Sequence, residues 1–402
     1  MRPFDGRRVL LGVTGGIAAY KSATLARELT LAGAEVDVVL TRSAREFVGA
    51  VTFEALTGRP VHDQLVATGH ALDHIRLPRA AHVMVVAPAT ADFIARAAAG
   101  RADDLLAASL LAAGDVPVLI VPAMNDRMWA HVQVQRNVAR LREIGYHVLD
   151  PETGPLASRE EGSGPGRMPE PAAIKAHIAR LLEPASPLTG KHVVVSAGPT
   201  REALDPVRFL SNHSTGKMGV ALAAAAWRRG ANVTLVAGPL AVDAPIGPQI
   251  VLVETTEQMA DAVRDALATA DALIMAAAPA DFRARAVAGQ KIKKGAAAPN
   301  LVFEFTTDIL TSTRDARRPE CVVVGFALET EQLEAGAKSK LVAKGLDLVV
   351  ANRVEEGAGF GSDTNRVTLL ARDGAREELP LQGKGEVADA ILDRVAGLFD
   401  GR

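Results

Sequence analysis

Short, uninterrupted apolar runs alternate with helix-length segments along this chain, and after one break the alternation starts again. In the first half the runs are 8–13, 35–41, 83–87, 116–122 and 146–149. Each is a near-continuous Val/Ile/Leu stretch without polar alternation, the pattern of strands covered on both faces. Between the first two, 17–32 predicts a helix with Ala18, Ser22, Leu25 and Leu29 on one face and Gly33 closing it. Strands and helices in strict alternation lead to an α/β fold with a doubly wound parallel sheet. Such sheets bind ligands at the carboxyl ends of their strands.

The break lies at about 153–171, within PETGPLASREEGSGPGRMPEP, too rich in Gly, Pro and Ser for a core element and expected to form a flap or a disordered segment. A helix over 172–182 and a linker over 183–190 follow. Strands are then expected at 192–197, 232–237, 272–277, 322–327, 346–351 and 366–371, and helices at 217–229, 256–270, 331–344 and 386–398. The reading is two Rossmann-like domains, 1–189 and 190–402, with no residue-level repeat between them. A length of 402 residues fits two or three domains.

Composition removes several function classes. A formal net charge of −2 gives no basic field for nucleic acid or an anionic membrane surface. No run approaches the roughly 18 apolar residues of a membrane span, and the polar start has no signal-peptide pattern. A single cysteine, Cys321, excludes an intramolecular disulfide and a cysteine-based metal cluster, and is expected to pack as a small hydrophobe. A soluble cytoplasmic protein is expected.

Two pairs of phosphate-handling signatures stand out. GVTGGIAAYK leaves the first strand through Gly12, Thr14, Gly15 and Gly16, where free amides at a helix start suit phosphate. It lacks the GxGxxG spacing of dinucleotide sites, and such a turn also serves as a plain tight connection. Thr41 and Ser43 end the second strand, and APATAD ends the third. In PAMN, Asn125 can donate and accept hydrogen bonds, which suits a carboxylate or amide. His74 is of a residue type suited to acid–base work, although a lone histidine by itself is more often structural or on the surface. In the second half, SAGPTRE and SNHSTGKMG leave a strand and open a helix with Lys217 near the start, without Walker A spacing. Asp281 is a carboxylate suited to Mg²⁺. KIKK, from Lys291 to Lys294, reads as a mobile loop or a solvated surface, and Lys340 and Lys344 share a helix face suited to a polyphosphate or to solvent.

Residues 8–183 resemble the homo-oligomeric flavin-containing cysteine decarboxylases through GVTGGIAAYK, TRSA, DHIRL, APATADFIARAAAGRADDLL, PAMNDRMW and GPGRM. The resemblance implies FMN held by Thr14, Gly15, Gly16, Thr41, Ser43, Ala87, Thr90 and Met124. It implies His74 as an active-site base, in some assemblies serving a neighbour's flavin, and Asn125 as the contact to the substrate carboxylate. The implied chemistry is oxidation of a cysteine side chain, loss of CO₂, then reduction and protonation of the enethiolate. One position departs from the family pattern: Ser158 stands where the flap cysteine is expected. Ser158, Glu160 or Glu161, or water could then supply the last proton, and a slow or silent decarboxylase is also open. A serine hydroxyl is the poorer acid.

Residues 190–398 resemble phosphopantothenate–cysteine ligase domains through SAGPTREALDPVR, SNHSTGKMG, ADFR, KIKK, GFALET and LDLVVAN. The order of the halves is similar to that of the bifunctional enzymes of coenzyme A biosynthesis. The resemblance implies CTP as co-substrate, an acyl-cytidylate of 4′-phosphopantothenate, and displacement of CMP by the amine of cysteine. Asn212 would contact the acyl intermediate, Lys291 would stabilise charge, and Asp281 would hold Mg²⁺. Ala276, Ala277, Thr307, Asp308, Ile309, Leu310, Phe326, Lys340 and Lys344 would surround CTP, with TTDIL standing where the family has NPDI. A homo-oligomer is implied, with a trimeric flavin half and a dimeric ligase half, up to a dodecamer. The alternatives are a ligase with an impaired decarboxylase half and a flavin-binding regulatory protein.

Overall fold

The computed structural model describes residues 3–400 except 67, 159, 161, 295–299, 330–332 and 354–360. Two compact units divide the chain, Met1–Glu183 and Pro184–Arg402.

In the first unit, β1 (Arg8–Val13), β2 (Glu35–Leu40), β3 (Val61–His62), β4 (Val83–Ala89), β5 (Val118–Pro122) and β6 (His147–Val148) form one parallel sheet. The spatial order is β3-β2-β1-β4-β5-β6, so the direction of winding reverses between β1 and β4. A crevice opens at the carboxyl ends of strands at such a point. The runs are uninterrupted because both faces are covered. Val9, Leu11 and Val13 pack on one side with Leu25 and Leu29 of α1 (Ala19–Leu31), while Leu10 packs on the other with Phe93 and Leu106. The helices α2 (Asp73–Ala80), α3 (Ala91–Ala98), α4 (Asp126–Ala130) and α5 (Pro171–Leu182) complete the elements that bear on the site. The 153–171 segment contains an antiparallel hairpin, β7 (Glu152–Pro155) with β8 (Ser163–Arg167).

The second unit is built on an eight-stranded sheet. Its strands are β9 (His192–Ala197), β10 (Asn232–Ala237), β11 (Gln249–Leu252), β12 (Ala272–Met275), β13 (Val322–Glu329), β14 (Leu348–Arg353), β15 (Val367–Ala371) and β16 (Arg376–Glu378). The order is β11-β10-β9-β12-β13-β14-β15-β16, parallel through β14 and antiparallel at the last two pairings. Again alternate residues feed opposite cores: Val193 and Val195 one, Val194 the other. Here α6 (Lys217–Arg228) and α10 (Lys384–Asp400) contribute Leu222 and Ile391 to the first core, and α7 (Thr256–Leu267) contributes Met259 and Val263 to the second. The short α8 (Ile309–Ser312) was not expected; α9 (Leu333–Lys344) lies within the helix expected at 331–344, and Glu331 lies outside the described residues. Cys321 is buried in the second core. Among the described residues, no helix is long and apolar enough to cross a membrane.

Candidate active sites

The first site lies at the carboxyl edge of the first sheet. Adding a Cβ to Gly15 would bring it within 2.4 Å of Ser43 Cβ and 2.8 Å of that residue's carbonyl carbon, so only glycine lets the β1 turn lie against the β2 turn. A Cβ at Gly16 would find its nearest neighbour, Thr90 Cγ2, 4.0 Å away, which leaves the other side of the turn open. The buried Thr14 hydroxyl donates to Pro88 O (2.8 Å) and accepts from the Thr90 amide (3.0 Å), welding the β1 and β4 loops together. Thr14 therefore lies beneath the cleft and shapes it. Thr41 and Ala87 are buried as well; the Thr41 hydroxyl sits 3.4 Å from Ser43 Oγ, and the Ala87 carbonyl accepts from Ser22 Oγ at 2.6 Å.

Gly15, Gly16, Thr90, Met124 and Asn125 line a cleft of about 490 Å³, together with Ile17, Tyr20, Lys21, Leu156, Ala157 and Met168. Asn125 caps α4, its Oδ1 accepting from the Arg127 amide at 3.0 Å. The hairpin closes over this loop. The Met124 amide donates to Gly166 O (3.0 Å), and a Cβ on Gly166 would meet Met124 O at 2.2 Å with a backbone φ of +149°. Buried Lys21 fixes the far end, donating to Met168 O (2.8 Å) and to Glu170 Oε1 (3.0 Å). That ammonium draws the Glu170 carboxyl below its usual range. The role of Lys21 was not legible in the sequence because its partners lie 147 and 149 residues away, and the hairpin register was not, because neither of its Gly/Pro-containing strands has a strand pattern. The residues fit a flat phosphate-bearing group: amides and hydroxyls at one end, and apolar Ile17, Met124, Leu156 and Met168 around it.

His74 and Ser158 do not line this cleft. His74 is half-buried on α2, and its Nδ1 is buried without a hydrogen-bond partner. Ser158 is exposed between β7 and β8, one residue beyond Ala157; Glu160 is exposed, and Glu161 lies outside the described residues.

The second site is a cleft of about 500 Å³ lined by Asn212 through Met218, Ala276, Ala277, Ala278, Asp281, Phe326, Ala327, Lys340, Asn352, Asn365 and Lys384. It opens at the carboxyl ends of β12, β13 and β14, beside the N-terminus of α6. Gly216 precedes that helix with φ +80°, and a Cβ there would strike Leu240 Cδ2 at 2.3 Å. The Asn212 amide nitrogen donates to the Ala278 and Pro279 carbonyls (3.2 and 2.9 Å), which fixes its carboxamide across the β12 loop. Lys217 donates to Asp363 Oδ1 (2.6 Å) and Gly361 O (2.9 Å). Lys384 is buried, and desolvation together with Lys217 lowers its pKa against the pull of Asp363. Three lysines, Lys217, Lys340 and Lys384, thus line one cleft whose described lining residues include a single carboxylate, Asp281. That composition fits a polyanion carrying Mg²⁺, which is held through one or two carboxylates plus substrate phosphates.

Lys291 and residues Thr307, Asp308, Ile309, Leu310 and Lys344 are not among the lining residues. Ile309 is buried in the core, and Asp308 caps α8 and pairs with Lys344 at 3.0 Å. The Lys291–Lys294 run is tethered at its second residue. Asp205 accepts from the Ile292 amide (3.0 Å), while Arg208 donates to Ile292 O at 2.5 Å and pairs with Asp205 at 2.6 Å. Burial would raise the Asp205 pKa, but the Ile292, Val207 and Arg208 amides and the Arg208 guanidinium outweigh it and hold the carboxyl well below its ordinary value. Asp205 and Arg208 stand in the DPVR of the quoted motif, but nothing in their spacing names Ile292 as the partner.

Comparison with known proteins assigns both units. Residues 2–183 match the family model described as Flavoprotein, and residues 188–398 match that described as DNA/pantothenate metabolism flavoprotein C-terminal domain. The chain is 44% identical over 397 residues to the coenzyme A biosynthesis bifunctional protein CoaBC of Vibrio cholerae, covering 98% of each chain. It is 46% identical to the protein of that name from Mycobacterium bovis, over 98% of this chain and 97% of that one. The Bacillus subtilis protein is 44% identical, with 98% of each covered. The chain belongs to the family of coenzyme A biosynthesis bifunctional proteins, with a flavoprotein first half.

Proposed function

We propose that this chain is a bifunctional enzyme of coenzyme A biosynthesis, joining cysteine to 4′-phosphopantothenate in the second unit and decarboxylating the product in the first. One observation carries the ligase reading: Asn212, Asp281, Lys217, Lys340 and Lys384 line the same cleft. CTP is the nucleotide, its triphosphate taken by the lysines and its Mg²⁺ by Asp281. Neutralising charge on transferring and leaving groups lowers the barrier to nucleotidyl transfer. The carboxylate of 4′-phosphopantothenate displaces pyrophosphate to give an acyl-cytidylate held at Asn212, and the amine of cysteine then displaces CMP. Lys291, held outside the described lining by the Ile292 tether, would stabilise charge in the amide-forming step.

In the first unit FMN would be held in the Gly15–Gly16 cleft by Gly15, Gly16 and Thr90, with Thr41, Ser43 and Ala87 supporting those loops from outside the lining, and when bound it would supply two-electron redox chemistry. Asn125 orients the substrate carboxylate, and the β7–β8 hairpin covers it. His74 lies outside its own chain's cleft, which agrees with service to a neighbouring subunit's flavin in a homo-oligomer. A soluble, cytoplasmic assembly is the expected setting. Ser158 makes the proton donor the point to test. CO₂ release from phosphopantothenoylcysteine is measured for the wild type and Ser158→Cys, alongside CTP-dependent amide formation. Ligation without CO₂ release in the wild type, restored by Ser158→Cys, would favour an impaired decarboxylase half. Absence of both activities from a flavin-loaded protein would overturn the proposal.

A further inference from the structure

A second constellation lies outside both clefts, at the corner between β3 and α2. His62 ends the edge strand, His70 lies in the connection, and Asp73 is the first residue of α2. Both histidines turn the same ring nitrogen to one carboxylate oxygen: His62 Nδ1 is 3.1 Å and His70 Nδ1 is 2.8 Å from Asp73 Oδ2. All three donor atoms lie within 4.8 Å of one another. The Asp73 side chain is only 9% exposed, so the carboxylate is held in place, whereas His70 is 58% exposed and opens the cluster to solvent. The neighbouring acid, Asp63, is paired with Arg45 at 2.5 Å and takes no part.

We propose that His62, His70 and Asp73 form a binding site for a divalent first-row transition metal of the zinc class, independent of both reactions assigned above. Ligands about 2.0–2.2 Å from a tetrahedral ion stand roughly 3.3 Å apart; the two Nδ1–Oδ2 separations of 3.1 and 2.8 Å lie near that spacing, and the two ring nitrogens lie within 4.8 Å of each other. Two imidazoles and one carboxylate with an open fourth position suit Zn²⁺, whereas Mg²⁺ and Ca²⁺ prefer oxygen donors. In the hydrogen-bonded triad each Nδ1 carries the proton it donates to Asp73 Oδ2, so metal binding through the Nδ1 lone pairs shifts each ring to the Nε2–H tautomer, the Nδ1 proton passing to solvent as Nε2 takes one up. The solvent-facing His70 side gives the entry path and the place for a bound water.

The test uses the full flavin-loaded chain, stripped of metal and dialysed against micromolar Zn²⁺ with millimolar Mg²⁺ present to compete at Asp281. The expected result is one more bound Zn²⁺ per chain in the wild type than in the His62→Ala/His70→Ala variant, with flavin content unchanged. Equal zinc content in the two proteins would overturn the site. A second readout needs no variant: wild-type crystals soaked in Zn²⁺ should give an anomalous peak at the zinc edge between the three residues. No peak there would mean a hydrogen-bonded triad only, and would equally overturn the proposal.

Discussion

At the scale of single residues, the two clefts owe their shape to side chains that are missing and to charges that are crowded. The Gly15 turn has no room for a methyl group, because backbone and side chain of Ser43 both lie under 3 Å from where it would stand. Gly15→Ala must push the two loops apart, at a cost of about 1–3 kcal/mol for an overpacked site. The expected outcome is a folded protein with less flavin absorbance per chain and unaltered ligase turnover. Full flavin occupancy would remove the turn from the binding site. Lys384 tests crowding instead. Its pKa is lowered, so the folded state disfavours the charged form, and the associated destabilisation is present at neutral pH and fades as pH rises through the folded value towards the unfolded one near 10.4. Lys384→Met should therefore leave the melting temperature at pH 7 unchanged or higher, since replacing a buried charge by an apolar side chain of similar length is often neutral or stabilising. Ligation should fall by about 10²–10³-fold in kcat/KM, the scale for losing one electrostatic contact to a transition state. A stable variant with wild-type kcat/KM would show that the third ammonium is not used.

Elements were legible where burial is two-sided and illegible where a long-range contact decides. The runs of β1, β4 and β9 could be read because both faces feed a core, which leaves no polar position to confuse the pattern. Two-residue β3 has no pattern to read, and antiparallel β15 and β16 extend a sheet that alternation alone renders as parallel. In the flap, β8 is SGPGR, a composition that argues against a strand; pairing with β7 and the Met124–Gly166 contact override it. The site divides in the same way: motifs identified Asn212, Asp281 and Lys340, but Lys384 opens a helix far downstream with no motif around it. The Lys291 loop was read as mobile, and it is tethered through Asp205. In Asp205→Asn an amide replaces a carboxylate oxygen facing the Ile292 and Arg208 donors, so the tether should slip. Trypsin should then cleave after Lys291, Lys293 or Lys294 several-fold faster than in the wild type, and ligation should slow while flavin content stays constant. Because the folded Asp205 pKa is depressed, the tether stabilises the protein above the unfolded carboxyl value near 3.9 and weakens as pH falls below it. Between about pH 4 and about pH 2 the melting temperature should accordingly fall more steeply in the wild type than in Asp205→Asn. Unchanged cleavage in Asp205→Asn would mean that other contacts hold the loop.

Across the whole molecule, each unit has its own sheet and its own pair of cores, and each cleft is lined by residues of one unit only. Stability should therefore be divisible along the chain. Two-state unfolding is a property of single domains of modest size, and ligands stabilise only the state that binds them. At a concentration of about 100 times Kd, a ligand adds roughly 2.7 kcal/mol to the unit that holds it. For units of about 200 residues, each kcal/mol moves the melting temperature by roughly 2–4 °C, so a shift of about 5–11 °C is expected. Calorimetry of the full chain should resolve two transitions. CTP with Mg²⁺ should raise one of them, and Lys384→Met should blunt that shift. FMN should raise the other, and Gly15→Ala should blunt that one. A single transition raised by both ligands would show that the two cores unfold as one cooperative body, and that a substitution in either cleft is felt in the other.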